Sequence, residues 1–312
     1  MNKILVTGGA GFIGSELCIK LSENKENFIV AVDNLSSGNV KKLILKDNIK
    51  FIKGDVNNYN EISEIMLTYK FDYVFHYAAT VGVRRTLNNP LLVLKDIEGI
   101  KNILNLSKNT GVKRVFFSSS SEVYGEPVEL PQNEMTTPLN SRLPYAVVKN
   151  LGEVFLKAYN KEFGLEYTIL RIFNTYGPKQ SLDFVIPRFI FQALTNQDIT
   201  INGNGSQSRT FCYIDDNIAA TLCIFYNNYF VNDIVNIGSD EEIKILDLAE
   251  LIIKLTNSKS KIKFLPPLEE GDMNKRKPDI SKMKKVFNKP LITLEEGIKK
   301  ILSVGLFDML NK

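Results

Sequence analysis

The sequence predicts an α/β protein: a doubly wound parallel sheet followed by a smaller C-terminal α/β lobe. Three observations predict it. Glycines spaced G-x-x-G-x-x-G separate the apolar run Ile4–Val6 from an apolar pattern at helical spacing. Short apolar strands then alternate with helical segments as far as about residue 175. Beyond Asn174 this rhythm stops, and Gly-Pro and Pro-Pro pairs punctuate shorter elements.

The glycine turn predicts a Rossmann dinucleotide site, because its three glycines allow a sharp turn, close backbone approach to a pyrophosphate, and helix–strand packing. Asp33 ends the next strand, about 20 residues on, where a carboxylate would bind the ribose 2′-hydroxyl. No arginine follows in Asn34–Gly38 to receive a 2′-phosphate. The sequence therefore predicts NAD as cofactor. The residues predicted to bind it are Gly8, Gly11, Phe12, Ile13, Gly14, Asp33, Asn34, Ser37, Gly38, Asp55, Val56, Ala78, Ala79, Tyr145 and Lys149.

Composition excludes several classes of protein. The 312 residues are 44% hydrophobic and carry a formal charge of +4, much of it in the Lys-rich stretch from Lys259 to Lys300. This stretch lacks interleaved aromatics and reads as a solvated surface, so we expect no nucleic-acid partner. Three cysteines without metal spacing and a single histidine, His76, argue against a disulfide framework or a metal centre. No apolar run reaches a membrane span, and we expect a soluble cytoplasmic protein.

The elements follow in order along the chain. Strands are predicted at 50–56 and 71–79, with Asp55 placed for the adenine amino group and His76 within the second strand as a core residue. Leucines and isoleucines at helical spacing predict one crossover helix over 90–109. A strand at 112–118, a proline-bearing loop over 126–144, a helix over 143–163 and a strand at 167–173 complete the pattern. The helix is apolar on more than one stripe, which indicates burial on two sides.

Two regions are predicted from this order. Residues 1–175 would form the NAD-binding domain, with about 214–238 packed back on it. Residues 176–312 would form the substrate lobe at the carboxyl edge of the sheet.

Ser120, Tyr145 and Lys149 are the predicted catalytic set. Tyr145 and Lys149 stand one helical turn apart at the start of a helix, after a strand that ends in four serines. A nearby ammonium and the cationic nicotinamide would stabilise the Tyr145 phenolate. The phenolate could then take a proton from a sugar hydroxyl while hydride leaves that carbon. Ser120 would hold the substrate oxygen, and Lys149 would also bond the nicotinamide ribose.

These motifs, with Leu170-Arg-Ile-Phe-Asn-Thr-Tyr-Gly-Pro178, resemble the extended short-chain dehydrogenase/reductase family, in its nucleotide-sugar epimerase, dehydratase and decarboxylase branch. The likeness runs nearly end to end, through Gly205–Asp216, Val235-Asn-Ile-Gly238 and Lys275–Ser281. It implies oxidation at C4 of a nucleotide-linked hexose with NAD retained, a UDP-sugar being favoured. It also implies a homodimer paired through the helices around 91–108 and 144–162.

Two residues separate the members of this branch. Glu122 stands where similar epimerases carry a small residue or Thr, and Arg276-Lys-Pro-Asp279 resembles UDP-glucuronate decarboxylases, whose arginine lies at the sugar carboxylate. Ser121 stands where dTDP-glucose dehydratases have an acidic Asp. Thr80–Arg85, in contrast, resembles epimerases; Glu269–Asp272 departs from their Arg-x-Gly-Asp; and Asp96 replaces the family's common Asn.

The sequence thus favours UDP-glucuronate decarboxylation, with C4 epimerisation as the alternative, 4,6-dehydration third, and a non-catalytic NAD-binding scaffold as a reading from another class. A bidentate arginine suits the substrate diphosphate, and Arg209 is assigned to it. Asn174 is placed at the sugar or its phosphate. The residues predicted to bind substrate are Ser120, Ser121, Glu122, Tyr145, Asn174, Arg188, Arg209 and Arg276; those predicted to be catalytic are Tyr145, Lys149, Ser120, Glu122 and Arg276.

Overall fold

The computed structural model describes residues 1–82, 86, 88–267 and 273–304. The N-terminal part contains, in chain order, β1 (Asn2–Thr7), α1 (Phe12–Leu21), β2 (Asn27–Asp33), β3 (Ile49–Lys53), α2 (Tyr59–Tyr69), β4 (Tyr73–His76), α3 (Pro90–Leu94), α4 (Asp96–Thr110), β5 (Arg114–Ser120), α5 (Pro144–Phe163) and β6 (Glu166–Ile172). One-turn 3₁₀ helices cover Val40–Lys42 and Ser121–Tyr124.

The remainder contains β7 (Thr175–Tyr176), α6 (Val185–Leu194), β8 (Ile199–Asn202), β9 (Ser208–Thr210), β10 (Cys212–Tyr213), α7 (Ile214–Tyr226), β11 (Asp233–Ile237), β12 (Glu242–Lys244), α8 (Ile245–Thr256), β13 (Ile262–Leu265), α9 (Ser281–Val286) and α10 (Leu294–Val304).

A seven-stranded parallel sheet in the order β3-β2-β1-β4-β5-β6-β11 confirms the predicted fold class. The order reverses between β1 and β4, and in such sheets a crevice opens at the carboxyl ends of the strands at this point. Thr7 pairs with His76 there, and Ser120 pairs with Ile172 further along the same edge. The three small sheets that follow, β10-β7, β12-β9 and β13-β8, belong to the smaller α/β region.

Alternating residues of the strands fill two cores, one on each face. Leu5 packs on one face with Ile103 and Leu156, from helices α4 and α5. Ile4 and Val6 pack on the other, in a core that continues without interruption into the C-terminal part and includes the residues Ile186, Leu248 and Ile298. The strand β11 joins the sheet beside β6 although it follows β10 and α7 in sequence, so the chain returns to the first region before it ends.

The prediction of one continuous crossover helix over 90–109 is wrong. The chain forms two helices, α3 and α4, with a turn at Lys95. The break coincides with a contact of the next residue, because the Asp96 carboxylate accepts the backbone N–H of Thr80 at 2.6 Å. The apolar spacing that predicted the helix runs across the turn, since Val93 of α3 lies in the same core as Ile100 and Ile103 of α4.

Every helix in the described part of the chain is too short or too polar to span a bilayer. Within those same residues, no three His, Cys, Asp or Glu side chains are grouped as metal ligands would be. His76 is buried, and its Nδ1 lies 2.8 Å from the Thr7 hydroxyl. Burial lowers the pKa of His76 to about 3, so this imidazole stays neutral at physiological pH.

Candidate active site

A cavity of about 870 Å³ lies at the carboxyl edge of the sheet and extends to the C-terminal region. Its volume is within the range of pockets that bury small-molecule ligands. It brings together most of the residues predicted from the sequence to bind cofactor or substrate. These are Gly8, Gly11, Phe12, Ile13, Gly14, Asp33, Asn34, Ser37, Asp55, Val56, Ala78, Ala79, Ser120, Ser121, Glu122, Tyr145, Lys149, Asn174 and Arg276.

The glycine turn has room for backbone contacts only. Gly8 has φ +68°, and a Cβ there would lie 2.8 Å from the Ala78 nitrogen. A Cβ on Gly14 would overlap the Gly8 carbonyl oxygen, so the strand, turn and helix pack backbone against backbone. Helix α1 begins immediately afterwards, and its N-cap Gly11 provides no side-chain cap. This cradle fits a pyrophosphate held by a helix N-terminus.

Asp33 is fixed by the same turn. Its Oδ2 accepts the N–H of Ala10 at 3.1 Å, and its Oδ1 accepts the N–H of Leu35 at 2.8 Å. Gly38 lies directly behind the carboxylate, since a Cβ there would lie 2.6 Å from Oδ1. Gly38 is not among the cavity-lining residues, and its contact with NAD stays a prediction. The carboxylate is thus held in a fixed position in the cavity lining, and its contact with an adenosine ribose stays a prediction.

Replacing Asp33 with serine should weaken NAD binding and reduce the preference for NAD over NADP. A hydrogen bond to a charged acceptor is worth about 1.5–3 kcal/mol, so we expect a loss of roughly tenfold to a hundredfold in NAD affinity. NADP binding should improve relative to NAD, because the charge that repels a 2′-phosphate is gone. Calorimetric titration with each dinucleotide measures both effects. An unchanged NAD to NADP affinity ratio would contradict this role.

Ser120, Tyr145 and Lys149 meet at the ends of β5 and α5. The Lys149 ammonium is buried, and its Nζ donates to the Ser118 carbonyl at 2.6 Å and lies 5.9 Å from the centre of the Tyr145 ring. Burial lowers the pKa of Lys149 to about 8, against the opposing charge of Asp96. Burial also raises the pKa of the Tyr145 phenol far above its usual range, although a hydrogen bond with Ser120 lowers it. The phenol therefore needs added positive charge to ionise.

Glu122 and Arg276 form a bidentate ion pair on the wall of this cavity. The guanidinium donates to Oε1 at 2.7 Å and to Oε2 at 2.9 Å. Arg276 is 4% exposed and Glu122 is 18% exposed. Among the described residues, none accepts a hydrogen bond from the Arg276 Nε. The pair joins the 3₁₀ turn after β5 to a segment near the C-terminus, and it lies in the same cavity as Tyr145.

Several polar residues of the lining are not predicted from the sequence, and Asp96 and Lys42 are two charged examples. Asp96 was noted only as a departure from the family's Asn, yet it lines the cavity and binds Thr80. Lys42 is buried in the 3₁₀ turn after Asp33 and also lines the cavity. No sequence motif marks the 3₁₀ turn that brings Lys42 back to the cavity, so the sequence does not predict its position there.

Two predicted substrate residues are not in the cavity lining. The Arg188 guanidinium lies over the ring of Phe189, 5.7 Å from its centre, on helix α6. The Arg209 Nη1 donates to the carbonyl of Ser208 at 2.7 Å, on the short strand β9. Arg209 is assigned to the diphosphate from the ligand preference of guanidinium groups, which does not indicate the direction of a side chain, and the substrate role of both arginines stays a prediction. Two further sequence clues, in Val83–Arg85 and Glu269–Asp272, lie outside the described residues.

Comparison with known proteins agrees with this geometry. The model of the NAD dependent epimerase/dehydratase family matches residues 4–238. UDP-glucuronic acid decarboxylase 1 of Danio rerio is 36% identical over 96% of this chain and 72% of its own length.

Two solved structures are similar over nearly the whole chain. UDP-glucose 4-epimerase of Thermotoga maritima, solved with UDP-glucose, is 33% identical with a TM-score of 0.92, covering 99% of each chain. UDP-glucuronic acid 4-epimerase of Bacillus cereus, solved with UDP-glucuronic acid and NAD, is 31% identical with a TM-score of 0.88, covering 97% of this chain and 99% of the other. The chain therefore belongs to the NAD-dependent epimerase/dehydratase family of nucleotide-sugar enzymes, and NAD is its cofactor.

Proposed function

We propose that this enzyme decarboxylates UDP-glucuronate by way of a ketone at C4. The observation that carries the proposal is the buried Arg276–Glu122 pair, which lines the same cavity as Tyr145. A guanidinium with two parallel donors matches a carboxylate, and a sugar carboxylate is what distinguishes this substrate from a neutral hexose. The likeness to UDP-glucuronic acid decarboxylase 1 points the same way.

The first step is proton removal at C4. NAD, when bound, would supply the hydride chemistry, as acceptor of the C4 hydride and its later donor. Tyr145 would accept the C4 hydroxyl proton as the carbonyl forms, with Lys149 stabilising the phenolate at one side and Ser120 holding the oxygen. Lys149 contacts the carbonyl of Ser118 on the strand that ends in Ser120, so the base and its charged neighbour are held by one strand end.

The second step breaks the C5–carboxylate bond. With a ketone at C4, the carboxylate belongs to a β-keto acid, and the bonding pair passes to the C4 oxygen as CO₂ leaves. Arg276 would hold the carboxylate in place of Glu122. Glu122, once released from Arg276, lies in the same cavity and could pass a proton taken up from solvent to C5. The ketone is then reduced, and Tyr145 returns its proton to the C4 oxygen.

C4 epimerisation is the alternative, supported by the likeness to two 4-epimerases. In that reaction the sugar would turn before reduction, and the carboxylate, where present, would be kept. Dehydration is third, since Ser121 replaces the expected acid. A non-catalytic scaffold would not require Ser120, Tyr145 and Lys149 in one cavity.

The product mass separates these outcomes. The NAD-loaded enzyme is incubated with UDP-glucuronate, and the nucleotide sugars are followed by mass spectrometry. We expect a UDP-pentose lighter by CO₂. A product of unchanged mass with altered chromatographic retention would support epimerisation and overturn decarboxylation. Parallel incubation with UDP-, GDP- and dTDP-hexoses identifies the preferred nucleotide.

We propose that two regions of the chain bind different ligands. Residues 1–175, with 214–238, would hold NAD, and 176–312 would hold the nucleotide sugar. The return of β11 to the sheet beside β6 supports the first part of this division. Contact between Arg276 and Glu122 supports closure of the sugar site from the second region.

We also propose a homodimer through α3, α4 and α5. The burial on two sides expected for α5 is not met within one chain, since Val154 is 54% exposed and Val147 is exposed too. Leu91, Leu92 and Leu94 on α3 are exposed as well, and α3 packs beside α5. A second copy covering this face would bury both sets.

The replacement Val154→Asp should therefore convert a dimer into a monomer, because a carboxylate at the centre of an apolar interface would be desolvated without a partner. Light scattering across a concentration series measures the mass. Val128→Asp is the matched control, since Val128 is 65% exposed on the loop before α5. A Val154→Asp protein with the mass of the wild type would count against this interface.

A further inference from the structure

The motif Val235-Asn-Ile-Gly238 contains a fully buried amide that the proposed reaction leaves unused. Asn236 lies on β11 and is not part of the cavity lining. Its Oδ1 accepts the Tyr124 hydroxyl at 2.8 Å. Its Nδ2 donates to the carbonyls of Gln132 and Asp279, each at 3.0 Å. The Asn236 side chain thus accepts a hydrogen bond from one segment of the chain and donates hydrogen bonds to two others.

The acceptor side leads to Glu122. Tyr124 is two residues further along the same 3₁₀ turn, and it is buried. The Tyr124 hydroxyl also accepts Arg171 Nη1 at 2.9 Å. Arg171 is itself held by the Glu153 carboxylate, at 2.7 Å and 3.0 Å, on the helix that carries Tyr145. The turn that bears Glu122 is therefore fixed to β6 and α5.

The donor side leads to Arg276. Asp279 is three residues beyond Arg276, and its N–H donates to the Gln132 carbonyl at 2.8 Å. The Gln132 N–H donates to the Lys277 carbonyl at 2.7 Å, so the two segments lie side by side. Asn133 adds a bond from Nδ2 to the Asp279 carboxylate at 2.8 Å. The segment that bears Arg276 is therefore fixed to the loop before α5, and Asn236 bonds to both.

We infer that Asn236 is a positioning residue that sets Arg276 opposite Glu122 for the carboxylate-dependent step. The inference rests on the proposed function for the identity of that step. The two side chains lie 154 positions apart and meet at hydrogen-bonding distance from different segments. Only a group with an acceptor and two donors can satisfy the hydroxyl and both carbonyls at once, and an amide is such a group. A shift of about 1 Å in either segment would cost about a hundredfold in rate.

The replacement Asn236→Asp keeps the shape and removes both donors, so a carboxylate oxygen would face the two carbonyls. We expect CO₂ release from UDP-glucuronate to fall about a hundredfold while C4 oxidation continues. Quenching with borodeuteride labels the accumulated 4-keto hexuronate with deuterium, and its mass reports the first step separately. The affinity advantage of UDP-glucuronate over UDP-glucose, measured by calorimetry, should also shrink.

Asn27→Asp is the matched control. Asn27 on β2 is equally buried, and its Nδ2 donates to the Leu21 carbonyl and the Tyr226 hydroxyl, both at 2.9 Å, with four strands of the sheet between β2 and β11. This variant should lose stability but keep the wild-type ratio of ketone to CO₂. Tyr124→Phe is the second test, because it removes only the hydroxyl that Asn236 accepts. The Tyr124→Phe variant should release CO₂ at a clearly lower rate, with C4 oxidation preserved. It tests the positioning role of Asn236 even if Asn236→Asp fails to fold.

Equal loss of C4 oxidation and CO₂ release in Asn236→Asp, or a wild-type ketone to CO₂ ratio in Tyr124→Phe, would overturn the positioning role. Failure of the proposed function looks different, since the wild type itself would then release no CO₂. In that case the affinity ratio between the two UDP-sugars still tests Asn236. A ratio unchanged from wild type in Asn236→Asp would refute it.

Discussion

Tyr145→Phe should reduce turnover by about 10³-fold while leaving NAD bound, because it removes the proton acceptor and little else. The phenol lines the cavity beside Ser120, and the substitution keeps the ring that packs there. Tyr159→Phe is the matched control on the same helix, since that hydroxyl donates to Asn105 at 2.7 Å away from the cavity. Steady-state rates and a calorimetric NAD titration measure both properties. Undiminished turnover in Tyr145→Phe would contradict the assignment of Tyr145 as the proton acceptor.

The electrostatics explain why so large an effect is expected. Burial raises the pKa of Tyr145 and lowers that of Lys149 to about 8, so in the protein alone the phenolate is disfavoured. Each unit of pKa corresponds to about 1.4 kcal/mol. Positive charge brought by the oxidised nicotinamide would favour the phenolate when the substrate is in place. No other phenol in the described lining stands beside Ser120, and Tyr77 and Tyr176 come from other segments.

Arg276→Gln should reduce the rate of CO₂ release by about 10²- to 10³-fold, while C4 oxidation persists. The guanidinium is nearly fully buried, so its loss leaves Glu122 without a cation and the substrate carboxylate facing a negative charge. UDP-glucuronate should bind less tightly, whereas UDP-glucose, which has no carboxylate, should be affected less.

Arg142→Gln is the control for the Arg276 variant, since Arg142 is an exposed arginine on the loop before α5. It should leave CO₂ release unchanged. Carbon dioxide is measured against the borodeuteride-labelled ketone in both variants. Equal CO₂ release by Arg276→Gln and wild type would limit Arg276 to a phosphate-binding or structural role.

The sequence was informative where the chemistry is local. The spacing of Gly8, Gly11 and Gly14 predicts the turn, because backbone packing there depends on the absence of a side chain. The alternating strands and helices predict the parallel sheet, and Tyr145 and Lys149 share a face by helical geometry alone. The break between α3 and α4 was not predictable, since it accompanies a bond between Asp96 and Thr80, which lies sixteen positions earlier in the loop after β4.

The sequence does not predict contacts between residues that lie far apart along the chain. Glu122 and Arg276 were each assigned to the sugar by resemblance, but their direct pairing depends on how the C-terminal segment returns to β5. Arg188 and Arg209 carry suitable groups, but neither is among the residues that line the cavity. Asn236 is conspicuous only once its three partners are known, because an Asn within a strand has no spacing signal.

The most direct test of the account follows the carboxyl carbon. UDP-glucuronate labelled with ¹³C at its carboxylate is incubated with the wild-type, NAD-loaded enzyme, and labelled CO₂ is measured against the nucleotide sugars. Decarboxylation predicts one labelled CO₂ for each UDP-pentose formed, and almost none from Arg276→Gln. Label retained in a C4-epimerised UDP-hexuronate would contradict decarboxylation and establish the epimerase alternative.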